Sequence, residues 1–377
     1  PDCVRYVDYL LSGNMIKREY YGACKLATEY FQYGSVVRRT YHNQDGRVAF
    51  EEWRLGGNWL YKLGPEILTS HTEVMRRFLS KFSLKEKDLI LLDRASRMDF
   101  ARPLLEKDDP AKIAMVFHSE HEFENGQLNY EYYYVFKYAK CFDYFITATE
   151  AQKEVLEQTL AKQEYHDIPI YSIPVGHLEG LTESQGDRSP YSVITASRLD
   201  PRKRIDLAIR VVAQAHKHLP PLQFDIYGKG GEEDNLRHLI QELEAQDYIH
   251  LRGHADLKRI YPHYQAYLTA SQWETFGLTL MEAAGAGLAL LGFDARYGNP
   301  TFIKEGENGY LVPYSGKRPE EELVKELADK LVQLFNRNLE PFHQASYDLA
   351  SCYLKTKVQE VWKQMLKEMG QLDRNEM

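Results

Sequence analysis

The chain has 377 residues, 44% of them hydrophobic and 27% charged, the composition of a globular protein of two or three domains. A formal net charge of −8, from 47 basic and 55 acidic side chains, argues against general affinity for nucleic acid or an anionic membrane. No stretch approaches the ~18 apolar residues of a membrane helix, and the scattered Cys3, Cys24, Cys141 and Cys352 read as reduced cytosolic thiols, not a disulfide framework or zinc site.

Residues 1–85 form the first expected domain. Short alternating runs such as Val4 to Leu10, Val36 to Tyr41 and Val48 to Trp53 are punctuated by Asn43-Gln44-Asp45-Gly46 and Gly56-Gly57-Asn58, the pattern of an antiparallel meander. A helix around Lys25 to Phe31 is expected to interrupt it.

Residues 86–185 switch to alternating strand and helix. Asp88 to Leu92, Ile113 to Phe117, Tyr144 to Thr147 and Ile170 to Ile173 read as buried parallel strands, with helices near Asn129 to Ala139 and Glu150 to Ala161. Four strands fall short of the roughly five or six of a complete doubly wound half. No opening strand with a Gly-rich turn is present, and the chain starts Pro1-Asp2-Cys3. Part of this lobe is therefore expected to lie outside the chain, with a small first lobe as the alternative.

A polar linker, Thr182 to Gly186, leads into a third expected domain at 186–350. Its strands are Ser192 to Thr195, Gln223 to Tyr227, Tyr248 to Leu251, Ala266 to Ala270 and Leu288 to Phe293, alternating with helices, so right-handed βαβ units and a parallel sheet follow. Amphipathic helices close the chain at about 319–337, 342–353 and 355–369, the last in a C-terminal segment of 351–377.

Chemistry concentrates where these strands end. Glu274 and Glu282 bracket Thr275-Phe276-Gly277-Leu278-Thr279, a turn that opens into a small-residue helix. Backbone N–H groups at such a helix start can hold a diphosphate, leaving one carboxylate for a sugar and one for a ribose. Arg198 to Arg204 follows the first strand of this unit and also precedes a helix. Arg198 can fork onto phosphate oxygens while Lys203 supplies a point charge to a leaving diphosphate. A solvated basic loop is the bland alternative.

Gly228-Lys229-Gly230-Gly231 fits either a close backbone approach to a ligand or a plain tight turn, since Glu233 occupies the third glycine position of a dinucleotide fingerprint. His254 could present its backbone to a nucleobase edge, or Asp256 could simply cap the next helix. His118, at the end of the strand Ile113 to Phe117, would face a cleft from the other lobe, unless it is a structural histidine or joins His121 on a metal that lacks an evident third ligand. The run Tyr130 to Phe136 reads as core. The loop Tyr297 to Ile303 either lines the donor site or forms an ordinary turn.

In this order, Ser197-Arg198-Leu199 with Lys203, Gly228-Lys229-Gly230, Gly253-His254-Ala255 and Glu274-Thr275-Phe276-Gly277-Leu278 through Glu282-Ala283 resemble the retaining GT-B glycosyltransferases with an E-x7-E motif, over roughly residues 110–370. Phe276 to Glu282 with Gly292-Phe293-Asp294 and Tyr297-Gly298-Asn299, together with the Tyr-rich meander, is similar to the accessory Sec system glucosaminyltransferases that O-glycosylate serine-rich repeat adhesins. Wall teichoic acid α-glycosyltransferases share the layout.

The resemblance implies an α/β fold of two Rossmann-like lobes facing a cleft, with an added β-meander domain. It implies GlcNAc transfer from UDP-GlcNAc to Ser/Thr hydroxyls with retention, with no further cofactor and no metal. A homologous non-catalytic partner subunit would bind through the meander domain. The location would be cytoplasmic, at most at the inner face of the membrane. A teichoic acid transferase or a non-catalytic adhesin-binding subunit are the alternatives. The resemblance matches Arg198 and Lys203 to diphosphate binding, Glu274 to the donor sugar, Glu282 to the ribose and His118 to the first-lobe active-site histidine. Gly228, His254, Phe276, Gly277, Leu278 and Thr279 complete the expected donor site. Thr275 replaces the glycine of the wider class's Glu-Gly-Phe-Gly, so the motif alone does not fix the donor sugar.

Overall fold

The computed structural model describes residues 4–94, 98–106, 110–123, 125–165, 167–184, 186 and 188–370. Cys3, Gln185 of the expected linker and the last seven residues of the C-terminal segment lie outside them. The chain divides into two compact units, 1–88 with 96–111, and 89–95 with 112–377.

The first unit is a seven-stranded antiparallel sheet in sequential order, β1 (Tyr6–Leu11), β2 (Asn14–Tyr21), β3 (Lys25–Gln32), β4 (Ser35–His42), β5 (Val48–Leu55), β6 (Asn58–Leu63) and β7 (Glu66–Leu68). Helices α1 (His71–Leu79) and α2 (Met98–Leu105) pack against each other beside it in sequence. Two-residue loops make four of the six hairpins. Tyr33-Gly34 and Gly56-Gly57 both carry positive φ at both positions, the backbone that matches a twisted hairpin.

The expected helix over Lys25 to Phe31 is instead β3. Leu26, Ala27 and Glu29 tolerate a helix, but β3 is paired along both edges, by β2 and β4. Glu29 accepts hydrogen bonds from Tyr20 at 2.8 Å and Arg39 at 2.8 Å, one from each neighbouring strand. Cross-strand pairing outweighs local preference here. The helices α1 and α2 also went unanticipated. Ser70 starts α1 by accepting the Glu73 N–H, a capping signal that the sequence displays as Ser-x-x-Glu.

The second unit holds two parallel sheets. The smaller has the order β11-β10-β9-β8, from β8 (Leu89–Leu92), β9 (Lys112–Phe117), β10 (Tyr144–Thr147) and β11 (Ile170–Ser172). Helix α3 (Tyr133–Lys137), flanked by 3₁₀ turns, occupies the aromatic run, and α4 (Glu150–Lys162) follows β10. Thr149 caps α4 by accepting the Gln152 N–H.

The larger sheet has the order β14-β13-β12-β15-β16-β17, from β12 (Ser192–Ala196), β13 (Gln223–Tyr227), β14 (Ile249–Gly253), β15 (Ala266–Thr269), β16 (Ala289–Phe293) and β17 (Gly309–Val312). Its helices are α5 (Ile205–His216), α6 (Glu233–Glu242), α7 (Leu257–Ile260), α8 (Leu278–Gly285), α9 (Gly298–Phe302), α10 (Glu320–Phe335), α11 (Glu340–Ser351) and α12 (Lys355–Glu368). All six strands are parallel, and the order in which they are laid down across the sheet reverses between β12 and β15, so the loops after these two strands flank a crevice at the topological switch point.

Burial of both faces explains the apolar strand sequences. Val193, Leu268, Leu291 and Phe293 pack with the α5 and α10 side chains, while Ile194, Tyr267 and Leu290 pack with those of α8. Helix α12 returns to the smaller sheet, where Met365 and Met369 pack with Ala114, Val116, Ile146 and Ile173.

Two buried histidines make stability depend on pH. Desolvation lowers the His121 pKa to about 4, against a smaller raising effect from Glu122. It lowers His343 to about 4 as well, helped by the Arg188 charge. In the unfolded chain each would protonate near ~6.5. Between these values the unfolded state binds the extra protons, so the stability is present above ~6.5 and lost as pH falls towards 4. The expected loss from pH 7 to pH 5 is about 2 kcal/mol per histidine. Urea unfolding midpoints at the two pH values measure it, and His121→Phe should remove its share of the slope.

Candidate active site

The crevice is built from three loops. After β12, Ser197 to Asp200 leads into a 3₁₀ turn at Pro201–Lys203. Asp200 accepts the Arg202 N–H at 3.0 Å, and its carbonyl accepts the Lys203 N–H at 3.0 Å. Arg204 then adopts a left-handed backbone, φ 46°, costly for a non-glycine residue. Its guanidinium is held by Asp206 at 2.9 Å and Glu320 at 2.7 Å, contacts that hold the bend in place.

This fold aims Lys203 across the switch point. Its Nζ lies 2.6 Å from Glu274 Oε2, with both side chains about one-fifth exposed. Arg198 by contrast is largely exposed, 3.5 Å from Asp200.

Glu274 is fixed through its backbone. Its N–H donates to the Arg296 carbonyl at 3.0 Å, and its carbonyl accepts from Tyr297 and Gly298, each at 2.6 Å. The loop 297–303 is therefore no simple turn: it forms α9, and its first residues clamp the acidic turn. A Cβ on Gly298 would stand 2.2 Å from the Phe276 carbonyl oxygen and 3.0 Å from that of Glu274. Gly298→Ala should therefore displace the acidic turn and lower the expected transfer activity about tenfold to a hundredfold, while affinity for the expected UDP ligand changes less. Steady-state kinetics and calorimetry separate the two.

Gly277 enters α8 at φ 92°, where a Cβ would press on Leu280 and Glu274. The N–H groups of Leu278 and Thr279 fall in the first turn, where no intrahelical acceptor exists. Phe276 turns inward onto Phe302 (ring centroids 5.2 Å apart) and Tyr353, so its backbone alone meets the crevice. The Thr279 hydroxyl accepts from Tyr267 at 2.9 Å.

From the smaller sheet, His118 faces the same cleft. Its Nε2–H lies 2.7 Å from Asp93 Oδ1, at the end of neighbouring β8. The backbone N–H groups of His118 and Ser119 donate to the buried Tyr132 hydroxyl. His118, Arg198, Lys203, Glu274 and Phe276 to Thr279 thus line one cleft of about 720 Å³, with Trp273 and Phe123 exposed at its walls. His121 points elsewhere, fully buried against Phe117 and Phe136. Among the described residues no group of three or more His, Cys, Asp or Glu is placed to hold a metal.

Three expected residues lie off this cleft. Glu282 sits one turn along α8 and lines an adjoining hollow of about 350 Å³ with Ala255, Leu257 and Tyr261. Its side chain still meets solvent, while desolvation raises its carboxyl above the ordinary value. His254 is exposed and lines neither hollow, whereas its neighbour Ala255 does. Gly228 differs from the expected approach to a ligand. Its N–H donates to the Gly253 carbonyl at 2.8 Å, and a Cβ there would fall 1.8 Å from the Ser197 carbonyl oxygen. Gly230 meets Leu199 in the same way, so the close approach is backbone on backbone, and it supports the Arg198 loop.

Asp93 and Trp273 were not singled out from sequence, and the Tyr297 to Ile303 loop was, but without its clamp on Glu274. Asp93 carried a usable signal, an acid directly after an apolar strand. The clamp depends on a contact across more than twenty residues and had none.

Two Rossmann-like lobes with a basic turn and a helix start meeting at the switch point define a GT-B glycosyltransferase. The family described as "Glycosyl transferases group 1" matches residues 183–340, and "GtfA extended beta-sheet domain" matches residues 1–65. The UDP-N-acetylglucosamine–peptide N-acetylglucosaminyltransferase GtfA subunit of Streptococcus gordonii is 42% identical, over 98% of this chain and 75% of its own. The crystal structure of the pneumococcal O-GlcNAc transferase GtfA with UDP and GlcNAc superposes with a TM-score of 0.89 at 39% identity, covering 98% of this chain and 75% of that one. A GtfA/B complex structure matches at 0.87 and 42%, with the same coverage. The chain belongs to this GtfA subunit family. A Bacillus subtilis poly(glycerol-phosphate) alpha-glucosyltransferase is a more distant relative, at 24% identity over 98% of this chain and 56% of its own.

Proposed function

We propose that this chain transfers GlcNAc from UDP-GlcNAc to Ser/Thr hydroxyls of a protein acceptor, with retention at the anomeric carbon. The observation that carries the reading is the Lys203–Glu274 pair at 2.6 Å, set beside the α8 N-terminus and facing His118.

In this reading the diphosphate lies against the N–H groups of Leu278 and Thr279, with Lys203 and Arg198 neutralising its charge. Glu274 meets the sugar hydroxyls, and Glu282 in the adjoining hollow meets the ribose. The uridine would lie along the Ala255 to Tyr261 wall. His118, oriented by Asp93, meets the donor sugar from the opposite side. The bond from C1 to the phosphate oxygen breaks with its electron pair going to UDP. The acceptor oxygen bonds to C1 on the same face, and the acceptor proton passes to the leaving phosphate oxygen. Front-face attack suits this cleft because Glu274, the carboxylate assigned to the sugar, is held in an ion pair with Lys203 and is not poised as a nucleophile.

We further propose that the acceptor is a serine-rich repeat adhesin of an accessory Sec system. The seven-stranded sheet would receive a homologous non-catalytic partner subunit, as the GtfA/B complex of a relative suggests. The site would then work in the cytoplasm, at most at the inner membrane face. The intact Arg198, Lys203, Glu274 and Glu282 set speaks against a purely non-catalytic role. Incubating the protein and its partner with a Ser/Thr-rich peptide and UDP-GlcNAc, UDP-glucose or UDP-GalNAc tests the proposal. Labelling from UDP-GlcNAc in preference to the others is expected. Equal use of UDP-glucose, or labelling of polyol phosphate in place of peptide, would contradict it.

A further inference from the structure

The two walls of the cleft are separately rigid. On the His118 wall, every residue from 118 to 122 is tied down. Tyr132 receives the N–H groups of His118 and Ser119, Gln152 donates to the Ser119 carbonyl at 3.0 Å, and Asn129 donates to those of Glu120 and His121. Thr159 and Lys162 hold the Glu122 carboxylate at 2.7 and 3.0 Å. On the Glu274 wall, Arg296 to Gly298 fixes the backbone of the acidic residue by three hydrogen bonds.

A ring pair spans these rigid segments. The His121 imidazole and the Tyr297 phenol lie parallel, 4° between planes and 6.5 Å between centroids, and both side chains are buried to within 1%. That separation falls within the range of attractive offset aromatic pairs. Burial keeps the imidazole neutral at neutral pH, so a flat uncharged plate meets the phenol. His121 is three residues from His118, and Tyr297 donates its own N–H to Glu274. Any shift of one lobe against the other at this point moves the sugar-facing carboxylate relative to the histidine across the cleft.

We propose that His121 and Tyr297 are positioning residues: their ring pair sets Glu274 in register with His118. The proposal rests on the reading of Glu274 as the donor-sugar carboxylate. The ring pair does not act on diphosphate binding, because Lys203, Arg198 and the α8 N–H groups all belong to the larger-sheet lobe. Loss of the pair therefore affects the transfer step and spares UDP affinity.

The test compares ring-keeping with ring-removing variants in the full chain with its partner subunit. His121→Phe and Tyr297→Phe keep a plate on each side, and His121→Leu and Tyr297→Leu fill the space without one. The leucine variants should lose about tenfold or more in kcat, with UDP affinity by calorimetry within about twofold and a raised ratio of donor hydrolysis to transfer. The phenylalanine variants should stay within about threefold of the parent. The double leucine variant should be no worse than either single one, since one contact is lost in each case. Equal behaviour of leucine and phenylalanine variants, additive losses, or UDP affinity falling in step with kcat would overturn the proposal. Where the leucine variants do not fold, the phenylalanine variants decide, and a tenfold loss in them rejects it. Wild-type turnover by Glu274→Gln would instead reject the underlying site reading, so the two failures are distinguishable.

Discussion

Lys203→Ala should lower kcat for peptide glycosylation by about 10²–10³-fold, the loss typical of removing one preorganised group that stabilises developing charge. Two effects add here. The leaving diphosphate loses the one ammonium that the β12–α5 turn aims into the cleft. Glu274, whose side chain is about four-fifths shielded and lies 2.6 Å from that ammonium, is left without its cation. UDP binding should weaken as well, because the same charge serves ground and transition states. Lys203→Arg should restore little: a planar fork cannot replace a point charge in a space already bounded by Glu274 and the 3₁₀ turn. Steady-state kinetics with UDP calorimetry on all three proteins measures this, and normal turnover by Lys203→Ala would remove the residue from the mechanism.

Glu274→Gln should give the opposite pattern in binding. Turnover should fall about a hundredfold, since the amide keeps the shape but loses the charge that orients the sugar and the lysine. UDP itself should bind at least as tightly. Removing a carboxylate takes a like charge away from beside the diphosphate and frees Lys203 to face it. The two substitutions break the same ion pair, so a generic loss of structure would weaken UDP binding in both. Opposite signs in UDP affinity are what separate a charge mechanism from simple damage, and calorimetry on the two variants reads them directly.

Parts of this architecture were legible in the residues, and the reasons differ by element. Strands such as Ile113 to Phe117 and Leu288 to Phe293 read clearly because burial on both faces makes them continuous apolar runs. The switch-point loops were legible because charge and glycine stand immediately after those runs. Lys25–Gln32 misled because its local preference is weak, and pairing on both edges decides its state. The strand Gly309–Val312 escaped notice because it opens on a glycine and is cut off by Pro313, both poor strand signals. Its glycine is required by a close approach to the Leu290 backbone, where a Cβ would lie 1.7 Å from a carbonyl oxygen. The Lys203–Glu274 contact joins residues 71 positions apart, so each could be assigned a task from its own motif, while their direct pairing needed the fold. Tyr297 and Gly298 show the same limit, since their effect on Glu274 is exerted by backbone N–H groups that any residue but proline possesses.

In the proposed function, the cleft around Lys203 and Glu274 is a UDP-GlcNAc donor site serving a peptide acceptor. The most direct measurement is mass spectrometry of a Ser/Thr-rich peptide after incubation with the protein, the proposed partner subunit and UDP-GlcNAc, with proton NMR of the product's anomeric coupling. Stepwise addition of N-acetylhexosamine in α linkage is expected, lost together with UDP release in Lys203→Ala. A β-linked product, or equal labelling by the parent and Lys203→Ala proteins, would contradict it.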